Sequence, residues 1–455
     1  AGRVGATVEL SRAETRLEPG LYRTAETVDG TPARIWVWSP GGPSRRRATE
    51  WAAFAADDVS WGERVWFEAG ARVEGTTAAA EGAAGELRWL TVSPRLRARA
   101  RVAGGLHVLG SYGRYRHRLR LETVGWGDPA APTADVHLWS DRDGQGTFSP
   151  DEQGVLVMRA GPGAPVGLLD PDLRAPYSVE LMAGLEHAWG PFTARLVGVR
   201  RRERRLLESV NVGATGPIRE RFVTDPGGDL IGPDDDQLLP VQERTPVNFG
   251  TDRLLLTNPR PGHDALHEGL ELSFAFGGRA LDFRLGATAH RANGPNASRG
   301  FRPVENDQGL VGERFDQPNA DTNGRGRLFS DRAYTIKVAG LYRAPADLTL
   351  GVVARYQDGQ PFARMVVVRD LPQGPDLVQA VPNGRHRFEF AITVDARLEK
   401  GVRVGGTRLG LVAEAFNLLG NTHEVEEDVV TGARFRTPTA RQPPRVFRAG
   451  LRFER

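Results

Sequence analysis

The sequence predicts an all-β fold, an antiparallel transmembrane β-barrel of about fourteen strands. Three observations carry that expectation. Long runs alternate apolar and polar side chains with the period of two that a strand imposes. The polar side of almost every run carries Arg or Glu, too much charge for a packed soluble core. Short turns and long polar connections then follow each other in alternation, as in outer-membrane barrels. The run at residues 387–399 (RFEFAITVDARLE) is the clearest. Phe388, Phe390, Ile392 and Val394 fall on one face, opposite Glu389, Thr393 and Asp395. In a membrane barrel the apolar face meets lipid and the charged face lines the lumen.

The other runs follow in order. Residues 4–14 open the chain, and a polar stretch leads to residues 48–59. Residues 64–74 (RVWFEAGARVE) alternate strictly. Residues 87–102 end with Leu96, Ala98, Ala100 and Val102 against Arg97, Arg99 and Arg101. Residues 106–117 complete the first group. After a long insert, residues 177–186 and 192–205 form a hairpin around Trp189, Gly190 and Pro191. Residues 269–276 and 281–290 follow, then 334–343 and 348–357. Residues 387–399, 408–418 and 445–455 close the series. The long outer loops are expected at about 118–175, 208–267 and 293–331, with the whole of 1–455 forming barrel and loops. Runs of roughly 10–14 residues suit tilted membrane strands.

Composition agrees and narrows the function classes. The chain has 455 residues, with 55 Gly, 31 Pro and no Cys, which fits a turn-rich β-protein and removes thiolate chemistry. Mean hydropathy is −0.39, and no apolar run approaches the ~18 residues of a membrane helix. Net charge is +3, and lysine occurs only at Lys337 and Lys400. The arginines are spread singly along strands and matched by 57 carboxylates, which argues against a nucleic-acid surface despite a pI near 9.4. Starting at Ala1 without a signal peptide, the chain reads as processed or truncated. No G-x-S-x-G, H-E-x-x-H or phosphate-binding Gly loop is present, so no enzyme is expected. His107, His117, His187 and His290 stand singly and read as lumen or girdle residues. Trp51, Trp61, Trp66, Trp89 and Trp189 read as interfacial girdle.

One segment has metal-ligand spacing. Residues 141–152 read DRDGQGTFSPDE. Asp141, Asp143 and Gln145 supply oxygens at positions 1, 3 and 5, Gly146 the sharp turn, Thr147 a backbone carbonyl, and Glu152 a bidentate carboxylate. Calcium needs six to eight such hard oxygens. Without flanking helices this is a loop module, and a solvated acidic turn is the alternative. A second acidic stretch, residues 225–236 with Asp225, Asp229, Asp234, Asp235 and Asp236, enforces no ligand register and reads as a solvated loop. The Asn/Asp/Gly-rich residues 293–326 read as a mobile outer loop.

Several segments resemble the TonB-dependent outer-membrane receptors, particularly the subgroup with a carboxypeptidase-regulatory-like N-terminal domain. They include AAFAADDVSWGERVWFEAGARVEG at 52–75, DPDLRAPYSVELMAGLEHAWGP at 170–191 and LLLTNPRPGHDALHEGLELSF at 254–274. ARYQDGQPF at 354–362, AEAFNLLGNTH at 413–423 and PPRVFRAGLRF at 443–453 continue the likeness in the same order. The resemblance implies the C-terminal part of a twenty-two-stranded barrel, left open or distorted when it stands apart from the remaining strands. It implies an outer-membrane location and energised uptake of a scarce, bulky solute through long outer loops. The partners would be membrane lipid, the solute, and the TonB complex acting through a plug that this sequence lacks. The competing classes are a passive fourteen-stranded channel and a surface adhesin braced by calcium.

Overall fold

The computed structural model describes residues 2–16, 22–39, 41–225, 237–258, 264–295 and 312–454. One antiparallel sheet holds fifteen strands: the short strand Arg325–Arg327 pairs with residues 293–295 off the main path, and fourteen form a continuous wall, each paired with the next. They are β1 (Arg3–Thr15), β2 (Ser44–Trp61), β3 (Val65–Ala80), β4 (Leu87–Ala103), β5 (Leu106–Arg116), β6 (Tyr177–Trp189) and β7 (Phe192–Arg204). The wall continues with β8 (Ala265–Gly277), β9 (Leu281–Pro295), β10 (Tyr334–Ala344), β11 (Leu348–Gln357), β12 (Ala391–Val404), β13 (Thr407–Phe416) and β14 (Val446–Glu454). The sheet begins at β1 and ends at β14, and no pairing joins these two among the described residues.

Alternation in the sequence becomes two faces of this wall. On β3, Val65, Phe67 and Val73 share a face with Val59, Ala53 and Trp51 of β2, while Glu68, Arg72 and Glu74 face the other way. The apolar face is uncovered: Val8, Val59, Leu90, Leu181, Leu270 and Leu451 are all exposed. The opposite face is cross-braced by charge. Arg397 reaches Glu399 at 2.9 Å and Glu414 at 3.0 Å, and Arg99 reaches Glu186 at 2.7 Å. Gly75 has a local role on the apolar face, because the Trp51 ring lies 2.3 Å from where a Cβ would stand.

Turns of two or three residues close one end of the wall, at residues 62–64, 104–105, 190–191, 278–280, 345–347 and 405–406. Gly62, Gly104, Gly190 and Gly405 supply the positive φ that such tight reversals need. At the other end only residues 81–86 make a short link. The remaining connections there are long, and the described parts fold into small sheets. Tyr22–Val28, Thr31–Ser39, Thr133–Trp139 and Gln153–Ala160 form one of four strands. Gly167–Leu169, Leu254–Thr257, Glu208–Asn211 and Gly312–Phe315 form another.

Burial is concentrated in this loop layer. One cluster packs Ala48, Leu87 and Trp89 at the loop ends of wall strands against Leu119, Leu173 and Leu256 of the connections. A second joins Leu239 and Val241 to Val366, Val368 and Val378. A third joins Phe362, Met365, Phe388 and Val429.

Four sequence expectations are corrected, three of them by this layer. The strand expected from residue 387 begins at Ala391. Phe388 is 4% exposed and stacks on Phe362 with ring centroids 4.7 Å apart, so it belongs to the loop core and not to the lipid face. Alternation continued past the strand's start and could not mark where the ladder ends. Trp89 is buried with its Nε1–H donating to the Leu173 carbonyl at 2.9 Å, and Trp66 shares the lumen face with Glu68. Trp51, Trp61 and Trp189 are the three of the five that stand exposed on the apolar face.

Candidate functional site: the covered mouth and its acidic loop

The long connections meet over one end of the wall and are tied together by buried charge. Arg244 and Asp252 pair at 2.9 Å, both almost fully buried. Arg364 and Asp225 form a second buried pair. Asp331, fully buried, accepts from Arg387 at 2.8 Å and Arg327 at 3.1 Å, joining the connection before β10 to the one before β12. Burying a charge without a partner is costly, so each pair fixes the loops that supply it. On the first outer sheet, Arg34 grips Glu26 with two bonds of 2.8 Å, and the Trp36 indole N–H donates to the same carboxylate at 2.9 Å. Asp376, in the strand Asp376–Gln379, lies near Arg34 and accepts from the Leu377 N–H at 3.0 Å. Burial still pushes its carboxyl above the ordinary range, against the pull of Arg34.

The acidic loop at residues 141–152 links the last two strands of that outer sheet. Carboxylate oxygens of Asp141, Asp143 and Glu152 lie within 4.8 Å of one another. Glu152 is 1% exposed. Its Oε1 accepts from the Arg142 N–H at 2.6 Å, and its Oε2 from the Ser149 N–H at 2.9 Å. Asp141 Oδ2 accepts from the Gly146 N–H at 2.9 Å, and Asp143 Oδ1 from the Gln145 N–H at 3.0 Å. Gly144 and Gly146 both adopt positive φ, the turn that position 6 of the spacing requires. Asp141 Oδ1 is shielded from solvent without a hydrogen-bond partner among the described residues. Three of the five expected ligand residues therefore converge. Gln145 and Thr147 are exposed, and their side chains make no hydrogen bond among the described residues.

Of the second acidic stretch, the described residues include Asp225 alone among the five carboxylates. Asp225 is committed to Arg364, and residues 226–236 lie outside those described. The loop expected at residues 293–326 falls in part there too, at 296–311. Three of the four histidines have local partners. His117 Nε2 is 2.7 Å from Glu203, His187 stacks on Trp189 at 4.9 Å, and His290 accepts from the Arg332 N–H at 3.0 Å. His107 shares a face with Glu186 and Arg101.

Sequence reasoning missed the order within the loop layer. The signals were present but short: residues 31–39 (TPARIWVWS) and 133–139 (TADVHLW) alternate, and residues 365–368 read MVVV. Each is too brief to stand out from loop composition.

A long antiparallel meander with an uncovered apolar face, a charged inner face and a folded layer at one mouth has the fold of the TonB-dependent receptor barrels. Among solved structures it is similar to the siderophore receptor PirA from Acinetobacter baumannii (TM-score 0.51, 12% identity, 99% of this chain and 55% of that one). It is also similar to the ferric enterobactin receptor PfeA from Pseudomonas aeruginosa in a mutant complex with enterobactin (TM-score 0.51, 14% identity, 99% and 54%). The chain thus spans about half the length of these receptors. No family model matches the sequence, and no curated protein matches it.

Proposed function

We infer that this chain is the barrel-wall part of an outer-membrane receptor that takes up a scarce, bulky solute with energy supplied through TonB. The observation that carries the reading is the pairing of an uncovered apolar wall with a packed loop layer at a single end. A wall of this kind is stable only with lipid against its outer face. A passive pore needs an open mouth, whereas a receptor needs a structured surface there to hold its ligand. The likeness to siderophore-receptor folds supports the same reading and makes ferric siderophores the first cargo to test. TonB would act through a plug supplied outside these 455 residues.

The test is uptake of a labelled ferric siderophore by cells expressing the whole reading frame that contains this chain, with and without functional TonB. Uptake lost without TonB supports the receptor. Uptake that persists supports the passive channel, and lost surface attachment with unchanged uptake supports the adhesin. Within this reading, calcium would brace the outer sheet at Asp141, Asp143 and Glu152. Their convergence and the unpartnered Asp141 oxygen support that role.

A further inference from the structure

The outward faces of β6 to β9 carry a graded set of side chains from one end of the wall to the other. Beside the short turns, Trp189, Phe192, Phe274, Phe276 and Phe283 form an aromatic group with neighbouring ring centroids 4.8 to 6.4 Å apart. Toward the long connections come Leu185, Leu196 and Leu272, and then a cross-strand row of Ala183, Gly198, Leu270 and Ala289. The next rows are cationic. Leu181 faces Arg200, which faces Glu268 and, beyond it, Arg291; Val179 faces Arg202, and Tyr177 faces Arg204. Arg114 lies 3.9 Å over the Tyr177 ring, with Arg205 5.3 Å from it.

Height along the wall places these arginines. Arg200 stands eight positions beyond Phe192 on β7 (200 − 192). That is roughly 26 Å along a strand at ~3.3 Å per residue, or about 20 Å along the membrane normal at ~40° of tilt. The apolar band of such barrels is ~25 Å tall. The aromatic group and the arginine rows therefore mark its two borders, with the arginines on the side of the long loops.

Charge there is unbalanced. Arg114, Arg200, Arg202, Arg204, Arg205 and Arg291 meet two carboxylates, Glu268 at 3.2 Å from Arg200 and Asp264 at 3.5 Å from Arg204, leaving a surplus of four (6 − 2). Arg291 is exposed and has no hydrogen-bond or ion-pair partner among the described residues. A second basic group, Arg12, Arg16, Arg45, Arg47 and Arg88, is offset by Glu14, Glu81 and Glu86, leaving a surplus of two (5 − 3). Below the first group the small residues leave a groove of about 840 Å³, bordered by Leu181, Gly198, Leu270, Ala289 and Tyr334.

We propose that this face holds a phosphorylated lipid of the outer leaflet, its phosphates on Arg200, Arg202, Arg204 and Arg291 and one acyl chain in the groove beneath. Guanidinium groups match phosphate oxygens with paired hydrogen bonds, and the surplus charge has no counter-ion among the described residues. The apolar groove directly below the arginines selects a lipid over a free anion. This proposal rests on the membrane-barrel reading above.

The test uses the whole protein that contains this chain, refolded into phosphatidylcholine nanodiscs, with native mass spectrometry as readout. Lipid A is offered beside the same lipid stripped of its phosphates, and inorganic phosphate is tested alone. The expected result is at least tenfold greater retention of the phosphorylated lipid, abolished in the double variant Arg200→Gln/Arg291→Gln and unchanged in Arg12→Gln/Arg47→Gln. Gly198→Leu provides an independent arm. A Cβ there meets nothing closer than 3.7 Å, so the side chain fits and fills the groove. It should reduce lipid retention several-fold with every arginine intact. Equal retention of both lipids, unchanged retention in either site variant, or equivalent binding of inorganic phosphate overturns the proposal. A whole protein that fails to enter the nanodisc overturns the membrane reading instead, so the two failures are distinguishable.

Discussion

Phe388 shows how one side chain can separate wall from loop layer. It sits between Phe362 and the Met365–Val429 contact and not in lipid. Phe388→Ala is therefore expected to cost the loop layer about 3–5 kcal/mol, the usual range for a buried aromatic. Hydrogen exchange should show lost protection across residues 361–388 while the wall strands keep theirs. Asp376 sets a pH dependence in the same layer. Its folded pKa is raised, so its stabilising state is the protonated one. That contribution is full below the ordinary aspartate range and is lost as pH rises toward the raised folded value. Asp376→Asn, which keeps an acceptor for Leu377 N–H, should match the native protein in acid and be more stable at neutral pH. Thermal denaturation at both pH values checks the sign. The acidic loop makes a third prediction. Bound calcium would offset repulsion among Asp141, Asp143 and Glu152, and Glu152→Gln removes one of those charges. Calcium should protect residues 142–150 from proteolysis in the native chain and fail to do so in Glu152→Gln. Equal cleavage with calcium, with chelator and in the variant would leave a solvated acidic turn.

At the scale of an element, β12 shows what could and could not be read in advance. Alternation identified the faces correctly: Ile392, Val394 and Leu398 pair with Tyr356, Ala354 and Leu350 on the apolar side. The strand's start was not legible, because 387–390 keep the same period although Arg387 pairs with Pro361 and Phe388 is buried in the loop core. Ile392 consequently stands near the loop-side border, and Leu398 lies near mid-strand with 43% exposure. Leu398→Arg is expected to cost roughly 2–4 kcal/mol in a lipid refolding titration, and Ile392→Arg about 0–1 kcal/mol, since the penalty depends on depth. Thr288→Arg, at mid-strand on the lumen face opposite Glu271, should cost little because it meets a carboxylate. Equal losses at Leu398 and Thr288 would mean that the faces are assigned wrongly. The acidic loop was legible for a different reason. Its ligand types and glycines occur within twelve consecutive positions, whereas the buried pair Arg364–Asp225 joins distant residues that no local pattern links.

For the molecule as a whole, two features oppose conduction by this chain alone. A closed barrel requires strand number, stagger and tilt to agree. Here β1 and β14 remain unpaired with each other among the described residues, leaving backbone donors and acceptors along two edges. Such edges are costly in hydrocarbon, where no water satisfies them. At the loop end, the described connections are packed around buried apolar clusters and ion pairs, and a path through them would need that packing to open. The purified chain should therefore give no discrete, reproducible steps in planar-bilayer recordings. Supplying further wall strands should seal the edges without opening the mouth, so membrane insertion would improve while conductance stays low. Ion flow would then await movement of the loop layer. Reproducible unitary conductance from the 455 residues alone would instead mean that β1 and β14 meet in lipid and the loops stand aside. That result would replace the receptor with the fourteen-stranded channel.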